Sequence, residues 1–132
     1  MRLVVIYVKH FIQFNYIGSV RLIYGTDTYN IRPMEVRYKH QRWALLETDE
    51  AAQTGIPVSV IRSYLGKLEV ITAAPDERTL RNWKSLHYEK LVGDRAGQRS
   101  IRLNLKWRLV FTLDDSLHPP VITVLEIVDY HD

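Results

Sequence analysis

The chain of 132 residues contains no cysteine, and this absence excludes several classes of protein. Without thiols there is no disulfide scaffold, no thiolate metal site and no cysteine nucleophile. No apolar run approaches the roughly 20 residues of a membrane span. The early apolar stretch, residues 3–8, is too short for the core of a secretory signal and is followed at once by Lys9 and His10. We therefore expect a cytoplasmic protein that does not bind a membrane.

Signatures of phosphate loops, catalytic serines and metal sites are also missing. There is no glycine-rich phosphate loop, and no serine stands in a nucleophile-elbow setting. Four of the five histidines show no metal-ligand spacing with carboxylates, namely His10, His40, His87 and His118. We therefore expect no metal and no cofactor.

The formal net charge of +3 conceals an uneven distribution of basic residues. Residues 81–112 carry eight lysines and arginines, with only Glu89 and Asp94 as acids, whereas residues 113–132 hold five acids and no lysine or arginine. A basic segment of this kind attracts polyanions. An ordinary solvated strand face would carry the same charge, so both interpretations stay open at this point.

Residues 1–33 differ from the rest of the chain. They are rich in β-branched and aromatic residues, carry four basic residues against one acid, and end at Pro33. They could form a hairpin or short meander, or they could be an upstream stretch counted as protein. The charge balance and the break at Pro33 favour the second interpretation. We divide the chain into an N-terminal extension, 1–33, and a domain, 34–132.

From Met34 onwards the hydrophobic pattern predicts a short strand and two helices. Alternation predicts the strand at 35–38, and a brief helix follows around Trp43. Apolar residues then recur at three- and four-residue steps over about sixteen residues beginning near Pro57, which predicts a longer amphipathic helix. Pro75 marks its end.

The pattern of the remaining residues of the domain predicts the strands of a sheet. Alternating or apolar segments predict strands at 86–91, 98–103, 107–113 and 121–128. The two middle segments are separated by three residues, which suits a hairpin. The sequence therefore predicts an α+β fold with a short N-terminal strand and two helices packed on one face of a mainly antiparallel sheet of about four strands.

Arg102 and Arg108 fall on the two strands of the predicted hairpin. If the apolar residues of these strands cover the helices, both arginines stand on the exposed opposite face. Two guanidinium groups on facing strands repel each other unless an anion lies between them, and arginine is well shaped to bind phosphate. The ordinary alternative is a pair of surface arginines bound to acids such as Asp94 or Glu126.

The chain ends with Asp129, Tyr130, His131 and Asp132, directly after the last predicted strand. A histidine at the edge of a basic face can transfer a proton near neutral pH. A tyrosine there can stack on a nucleic-acid base. The alternative for this terminal histidine is a frayed tail.

Two segments of the domain resemble the HigB-type toxins, the plasmid-maintenance killer-protein branch of the RelE/ParE superfamily. The run Gly93–Phe111 contains Gly-Asp-Arg-x-Gly, Ser-Ile-Arg-x-Asn and Trp-Arg in succession, and the second segment is the ending Glu126–His131. The opening residues 36–40 also look like that family's start. The resemblance extends over residues 34–132, and the N-terminal extension has no counterpart in the family.

The resemblance implies a RelE/ParE-like fold and the toxin component of a type II toxin–antitoxin system. Such toxins are held inactive by a helix-turn-helix antitoxin of the HigA type. They are bound to operator DNA only indirectly, through this antitoxin. Well-known members enter the ribosomal decoding site and cleave mRNA without a metal, by attack of the ribose 2′-hydroxyl on the adjacent phosphate. The expected partners are therefore the antitoxin, the ribosome and mRNA.

The resemblance also implies roles for individual residues. Arg108 matches the family's catalytic arginine after tryptophan and would stabilise charge on the phosphate. His131 matches the terminal histidine and would donate a proton or orient the substrate. RNA contacts are expected from Arg95, Arg99, Asn104, Lys106, Asp129 and Tyr130.

The chain departs from the family at two positions. Many ribosome-cleaving members carry a lysine directly before the Gly-Asp-Arg turn, where this chain has Val92. Lys90, two residues earlier, points to the same side of an extended strand and is the expected substitute. A second family arginine falls at Asn104, and Arg102, one pleat back on the same face, is basic instead. Lys90 and Arg102 therefore join the catalytic candidates.

These departures leave two other functions open. A relative of the ParE branch would inhibit DNA gyrase by binding, without catalysis. A module that has lost its activity would retain antitoxin binding alone and would be harmless when produced without antitoxin.

Overall fold

The computed structural model describes residues 34–130, so the N-terminal extension and residues 131 and 132 lie outside the described residues. The two interpretations of the extension are therefore untested by the structure. The helices and strands are β1 (Glu35–Tyr38), α1 (Gln41–Ala44), α2 (Val58–Ala73), α3 (Glu77–Asn82), β2 (Glu89–Lys90), β3 (Arg99–Arg102), β4 (Trp107–Asp114) and β5 (Val121–Asp129).

The described strands form one sheet in the order β1-β5-β4-β3-β2. β2, β3, β4 and β5 are successive antiparallel neighbours, while β1 runs parallel to β5. The sheet is therefore mainly antiparallel, as predicted, with the short N-terminal strand β1 added at the edge of four antiparallel strands. β5 lies between β1 and β4, which explains its nearly continuous apolar sequence, because an interior strand is buried along its length.

α2 is the long amphipathic helix that the sequence predicts, and it has 16 residues. It begins after Pro57, a residue that suits a helix start because the first backbone N–H groups have no partner within the helix. Its buried side chains are Val60, Ile61, Tyr64, Leu68 and Ile71. The hydroxyl of Ser63 donates to the carbonyl of Leu103 at 2.7 Å, which ties the helix to the sheet.

Alternation along β3 and β4 separates the two faces of the sheet. Ile101, Leu109 and Phe111 are wholly buried in the core that the helices cover. Ser100 and Val110, which are cross-strand partners, point to the opposite face. We call this opposite face the arginine face, because it also carries Arg102 and Arg108. The arginine face is not fully open, since Ser100 and Val110 are themselves 0% exposed.

The carboxyl group of Glu47 is partly buried beside residues of β1 and α2. The hydroxyl of Tyr38 donates a hydrogen bond to Glu47. Val36, Leu65 and Leu68 supply the apolar surroundings. Burial raises the pKa of Glu47 from 4.5 to about 7, because the charged form loses its hydration.

We expect Glu47→Gln to stabilise the protein at about pH 8, by on the order of 2–3 kcal/mol. A carboxyl whose pKa is about 7 in the folded state and 4.5 in the unfolded state binds more protons when folded. The free energy of unfolding of the wild type therefore falls as the pH rises through this interval and levels off above it. Urea denaturation at several pH values measures this slope. Glu50→Gln, at an exposed carboxyl, is the control and should keep the wild-type slope. An unchanged slope in Glu47→Gln would contradict the prediction.

Candidate nucleic-acid interface

Arg102 and Arg108 are cross-strand partners at the end of the β3–β4 hairpin, so their side chains share a face as alternation predicts. The expectation that both are exposed is wrong for Arg108, which is only 8% exposed. Its Nε donates to Oγ of Ser100 at 2.9 Å, and its Nη2 donates to the carbonyl of His87 at 2.8 Å. These two hydrogen bonds hold the guanidinium down against the sheet.

Glu89 supplies the counter-charge to Arg108. Its Oε1 lies 3.6 Å from Nη2 of Arg108, and its side chain is 59% exposed. Glu89 pairs with Ser100 across β2 and β3, so both lie on the arginine face. Neither Asp94 nor Glu126, the acids considered from the sequence, makes this ion pair. Arg108 is thus fixed by three partners, while 10% of its side chain stays accessible to a ligand.

His87, which was not among the predicted site residues, contacts both arginines. It follows the 3-10 turn Lys84–Leu86 and has a φ of 48°, the only positive φ at a non-glycine residue among residues 34–130. Its carbonyl accepts from Arg108, and its ring Nε2 lies 3.4 Å from Nη1 of Arg102. No signal in the sequence marks this residue, because both contacts depend on the fold bringing the turn to the end of the hairpin.

Lys90 and Arg99 lie on the helix-bearing face, not on the arginine face. They are cross-strand partners, and Arg99 also pairs with a core residue of β4. Nζ of Lys90 lies 3.0 Å from Oε2 of Glu77, and Nη2 of Arg99 lies 2.9 Å from Oε1 of the same carboxylate. Lys90, one of the catalytic candidates, therefore lies on the opposite side of the sheet from Arg108. Strand alternation places Glu89 beside Arg108 instead.

Arg95 lies on the arginine face, but an acid holds it. Its guanidinium donates to Glu126 and, through Nε, to Oε1 of Gln98 at 2.9 Å. Glu126 is the cross-strand partner of Val110, which places the ion pair over the middle of the face. The hydrogen bond from Arg95 to Glu126 raises the pKa of Arg95. Part of the positive charge expected from the sequence is thus neutralised here.

The β3–β4 turn and the end of β5 meet at one end of the sheet. The side-chain oxygen of Asn104 accepts from the backbone N–H groups of Lys106 and Trp107, both at 2.8 Å, so Asn104 shapes the turn. Asp129 is the cross-strand partner of Trp107. The backbone N–H of Tyr130 donates to the carbonyl of Lys106 at 2.7 Å. Lys106 and Tyr130 are thus joined through their backbones, and both side chains are exposed.

His131, the expected proton donor, lies outside the described residues, and its role stays a prediction. Within residues 34–130, no three histidine, aspartate or glutamate side chains form a cluster that could hold a metal ion. Over the same residues, no helix is both long enough and apolar enough to cross a membrane.

Helices cover one face of a mainly antiparallel sheet and a cross-strand arginine pair lies on the other, and the helix-on-sheet architecture is that of RelE-type toxins. The chain is similar to a solved toxin–antitoxin complex, RelBE2 from Mycobacterium tuberculosis, with a TM-score of 0.50 and 18% identity over 80% of this chain and all of that chain. A family model described as a RelE-like toxin of the type II toxin–antitoxin system HigB matches residues 37–131. Toxin HigB-1 of Vibrio cholerae is 31% identical over 84 residues, which are 64% of this chain and 88% of that protein. The chain belongs to the HigB-like toxin family of type II toxin–antitoxin systems.

Proposed function

We propose that this toxin is a metal-independent endoribonuclease that cleaves mRNA on the ribosome and so inhibits translation. The observation that carries the proposal is the guanidinium of Arg108, which donates hydrogen bonds to the hydroxyl of Ser100 and the carbonyl of His87 and is held by them on a face that also presents Arg102. A fixed cation stabilises charge that develops on a phosphate, because little reorganisation is needed during the reaction. Family membership supports the same class of activity.

The proposed reaction is attack of the ribose 2′-oxygen on the adjacent phosphorus, with cleavage of the bond from phosphorus to the 5′-oxygen. N–H groups of Arg108 would bind a non-bridging phosphate oxygen as its negative charge increases. Glu89, the exposed carboxylate 3.6 Å from Arg108, is placed to accept the proton of the 2′-hydroxyl. His131 would donate a proton to the leaving 5′-oxygen. The 2′-oxygen must be held in line with the leaving group, which is a task for the ribosome and the toxin together.

The remaining candidates would contact RNA away from the reacting phosphate. Lys106 and Tyr130 are exposed at the end of the sheet, where a cation and an aromatic ring can bind backbone and base. Arg95 can reach RNA on the same face if the ion pair with Glu126 opens. Arg99 and Lys90 are bound to Glu77 on the other face, so we propose that they support the fold.

We also propose that a helix-turn-helix antitoxin of the HigA type binds and inactivates the toxin, and that operator DNA is reached only through it. The similar RelBE2 structure is a toxin–antitoxin complex, which supports an antitoxin partner. Co-production of an antitoxin encoded next to the toxin should then restore growth.

The function is tested by producing the toxin without antitoxin and mapping the 5′ ends of mRNA, with plasmid supercoiling measured in the same cells. We expect growth arrest, new 5′ ends within coding sequences and unchanged supercoiling. Relaxed plasmid without new 5′ ends would point to gyrase inhibition and contradict the proposal. Normal growth with soluble toxin present would contradict it as well, and would indicate a module that only binds antitoxin.

A further inference from the structure

We propose that the imidazole of His87 and the guanidinium of Arg102 form a second anion subsite beside Arg108, which binds the RNA phosphate next to the one that is cleaved. This inference rests on the proposed endoribonuclease function and adds to it how the RNA strand is held. It assigns His87 to substrate binding, a role that neither the charge pattern nor the motifs of the sequence indicate.

The residues on either side of His87 fix its position. Leu86 is 1% exposed in the core. The ring of Tyr88 packs edge-to-face on Phe111, with ring centroids 6.3 Å apart. His87 itself is exposed between these two anchors. The imidazole is therefore held near the end of β3 by a turn that cannot shift without disturbing the core.

The turn needs the backbone of His87 but not its side chain. The N–H of His87 donates to the carbonyl of Lys84 at 3.1 Å, and the carbonyl of His87 accepts from Arg108. A φ of 48° costs a residue with a Cβ roughly 1 kcal/mol or more relative to glycine. Glycine would therefore form the same turn at lower energy, and the imidazole is available for another task.

In the part of the chain that the structure describes, Arg102 is the guanidinium of the arginine face that has no acid within ion-pair distance. Within residues 34–130, Arg95, Arg99 and Arg108 each have a carboxylate within ion-pair distance, whereas Arg102 has none. The side-chain contact of Arg102 is His87. Burial and the nearby charge of Arg102 lower the pKa of Lys67 on α2, so the positive field extends to this edge of the sheet. Such a field, next to a ring that can donate a hydrogen bond from either nitrogen, suits an anion.

The two guanidinium groups contact different atoms of the protein, so each can bind an anion of its own. Arg108 is held by Ser100, the carbonyl of His87 and Glu89, whereas Arg102 is directed to the imidazole. A strand of RNA carries one phosphate per nucleotide. One strand can therefore place its scissile phosphate at Arg108 and a neighbouring phosphate at Arg102 and His87.

Cleavage of a short synthetic mRNA on programmed ribosomes, in single turnover with the full-length toxin in excess, tests the subsite. In His87→Gly the turn and the carbonyl that binds Arg108 are kept, and the imidazole is removed. We expect the toxin concentration at half-maximal rate to rise about tenfold in His87→Gly and in Arg102→Ala, because the loss of one charged hydrogen bond weakens binding by about that factor. Arg78→Ala, which removes an exposed arginine of α3, should match the wild type.

Two further measurements separate a shared subsite from a general loss of charge. The double variant should be no weaker than Arg102→Ala alone, because the two side chains bind one group. An mRNA with an uncharged methylphosphonate at one linkage adjacent to the cleavage site should bind the wild type about tenfold more weakly than the unmodified mRNA. The two single variants should bind the modified and the unmodified mRNA equally well.

The outcomes distinguish this inference from the proposed function. If the wild-type toxin does not cleave mRNA on ribosomes, the endoribonuclease proposal and the subsite both fail. If the wild type cleaves but His87→Gly or the methylphosphonate has no effect on the half-maximal concentration, the subsite alone is overturned. A saturated rate that falls while affinity stays unchanged would also overturn it, since His87 would then act through the position of Arg108.

Discussion

Arg108→Ala should lower the single-turnover rate of mRNA cleavage by a factor of about a hundred to a thousand and relieve growth arrest. This is the effect expected when a preorganised donor to a developing oxyanion is removed. Arg108 is suited to that role because Ser100, the carbonyl of His87 and Glu89 fix its guanidinium before RNA binds. The rate should be measured on programmed ribosomes, together with growth after induction.

The control variants for Arg108 must separate chemistry from folding. Alanine leaves the buried hydroxyl of Ser100 without its partner, which costs about 1–3 kcal/mol of stability. Arg108→Lys keeps the charge but lacks the planar fork, so we expect a fold close to wild type and a rate well below it. Arg78→Ala removes an exposed arginine on α3 and should cleave normally. An Arg108→Ala protein that folds and cleaves at the wild-type rate would show that another group stabilises the phosphate.

The largest effect on stability is expected at Glu77, where Glu77→Ala should lower the free energy of unfolding by about 3 kcal/mol. The carboxylate is 13% exposed and binds Arg99 at 2.9 Å and Lys90 at 3.0 Å. The side chain of Arg99 is itself only 17% exposed, so removal of the carboxylate leaves a mostly buried cation without its counter-charge. Urea denaturation at neutral pH measures the loss.

A weaker ion pair on the same carboxylate provides the control. Arg81 lies 3.5 Å from Glu77 and is 46% exposed, so Arg81→Ala should cost no more than about 0.5 kcal/mol. Arg99→Ala should cost nearly as much as Glu77→Ala, and the double variant little more than either. If Arg99→Ala costs no more than Arg81→Ala, the ion pair of Glu77 with Arg99 does not stabilise the fold.

The same ion pairs give Glu77 a defined dependence on pH. Burial acts to raise the pKa of Glu77, but the hydrogen bonds from Arg99 and Lys90 outweigh it and hold the pKa below the ordinary value of 4.5. The folded state therefore binds fewer protons at this site than the unfolded state, so the stabilisation is present at neutral pH and is lost as the pH falls below that value. The unfolding free energies of wild type and Glu77→Ala should accordingly converge in acid.

The elements of the fold could be predicted from local patterns. The sixteen-residue helix α2, the strand β1 and the β3–β4 hairpin follow from periodicities of 3.6 and 2, which are properties of neighbouring residues. The shared face of Arg102 and Arg108 follows from the same alternation within one hairpin. The motifs of residues 93–111 and 126–131 indicated the HigB-type family, which the family match confirms.

The surroundings of the candidate site could not be predicted in this way. β2 is only two residues long, and its pairing with β3 decides that Glu89 joins the arginine face while Lys90 turns to Glu77. Alternation alone shows that two neighbouring residues point to opposite faces of the sheet. It does not show which of the two points to which face. The contact of His87 with both arginines likewise depends on a turn that packs beside the hairpin from outside it.

The sequence by itself thus determined the order and type of the elements, the basic segment and the family, because each depends on residues close together in the chain or on a recognisable motif. Only the tertiary structure decided which acid neutralises which arginine, that Arg108 is held down while Arg102 has no acid among residues 34–130 within ion-pair distance, and that His87 contacts both. These are contacts between side chains as many as 31 residues apart along the chain, as for Arg95 and Glu126. Their energies depend on burial and distance, quantities that exist only once the chain has folded.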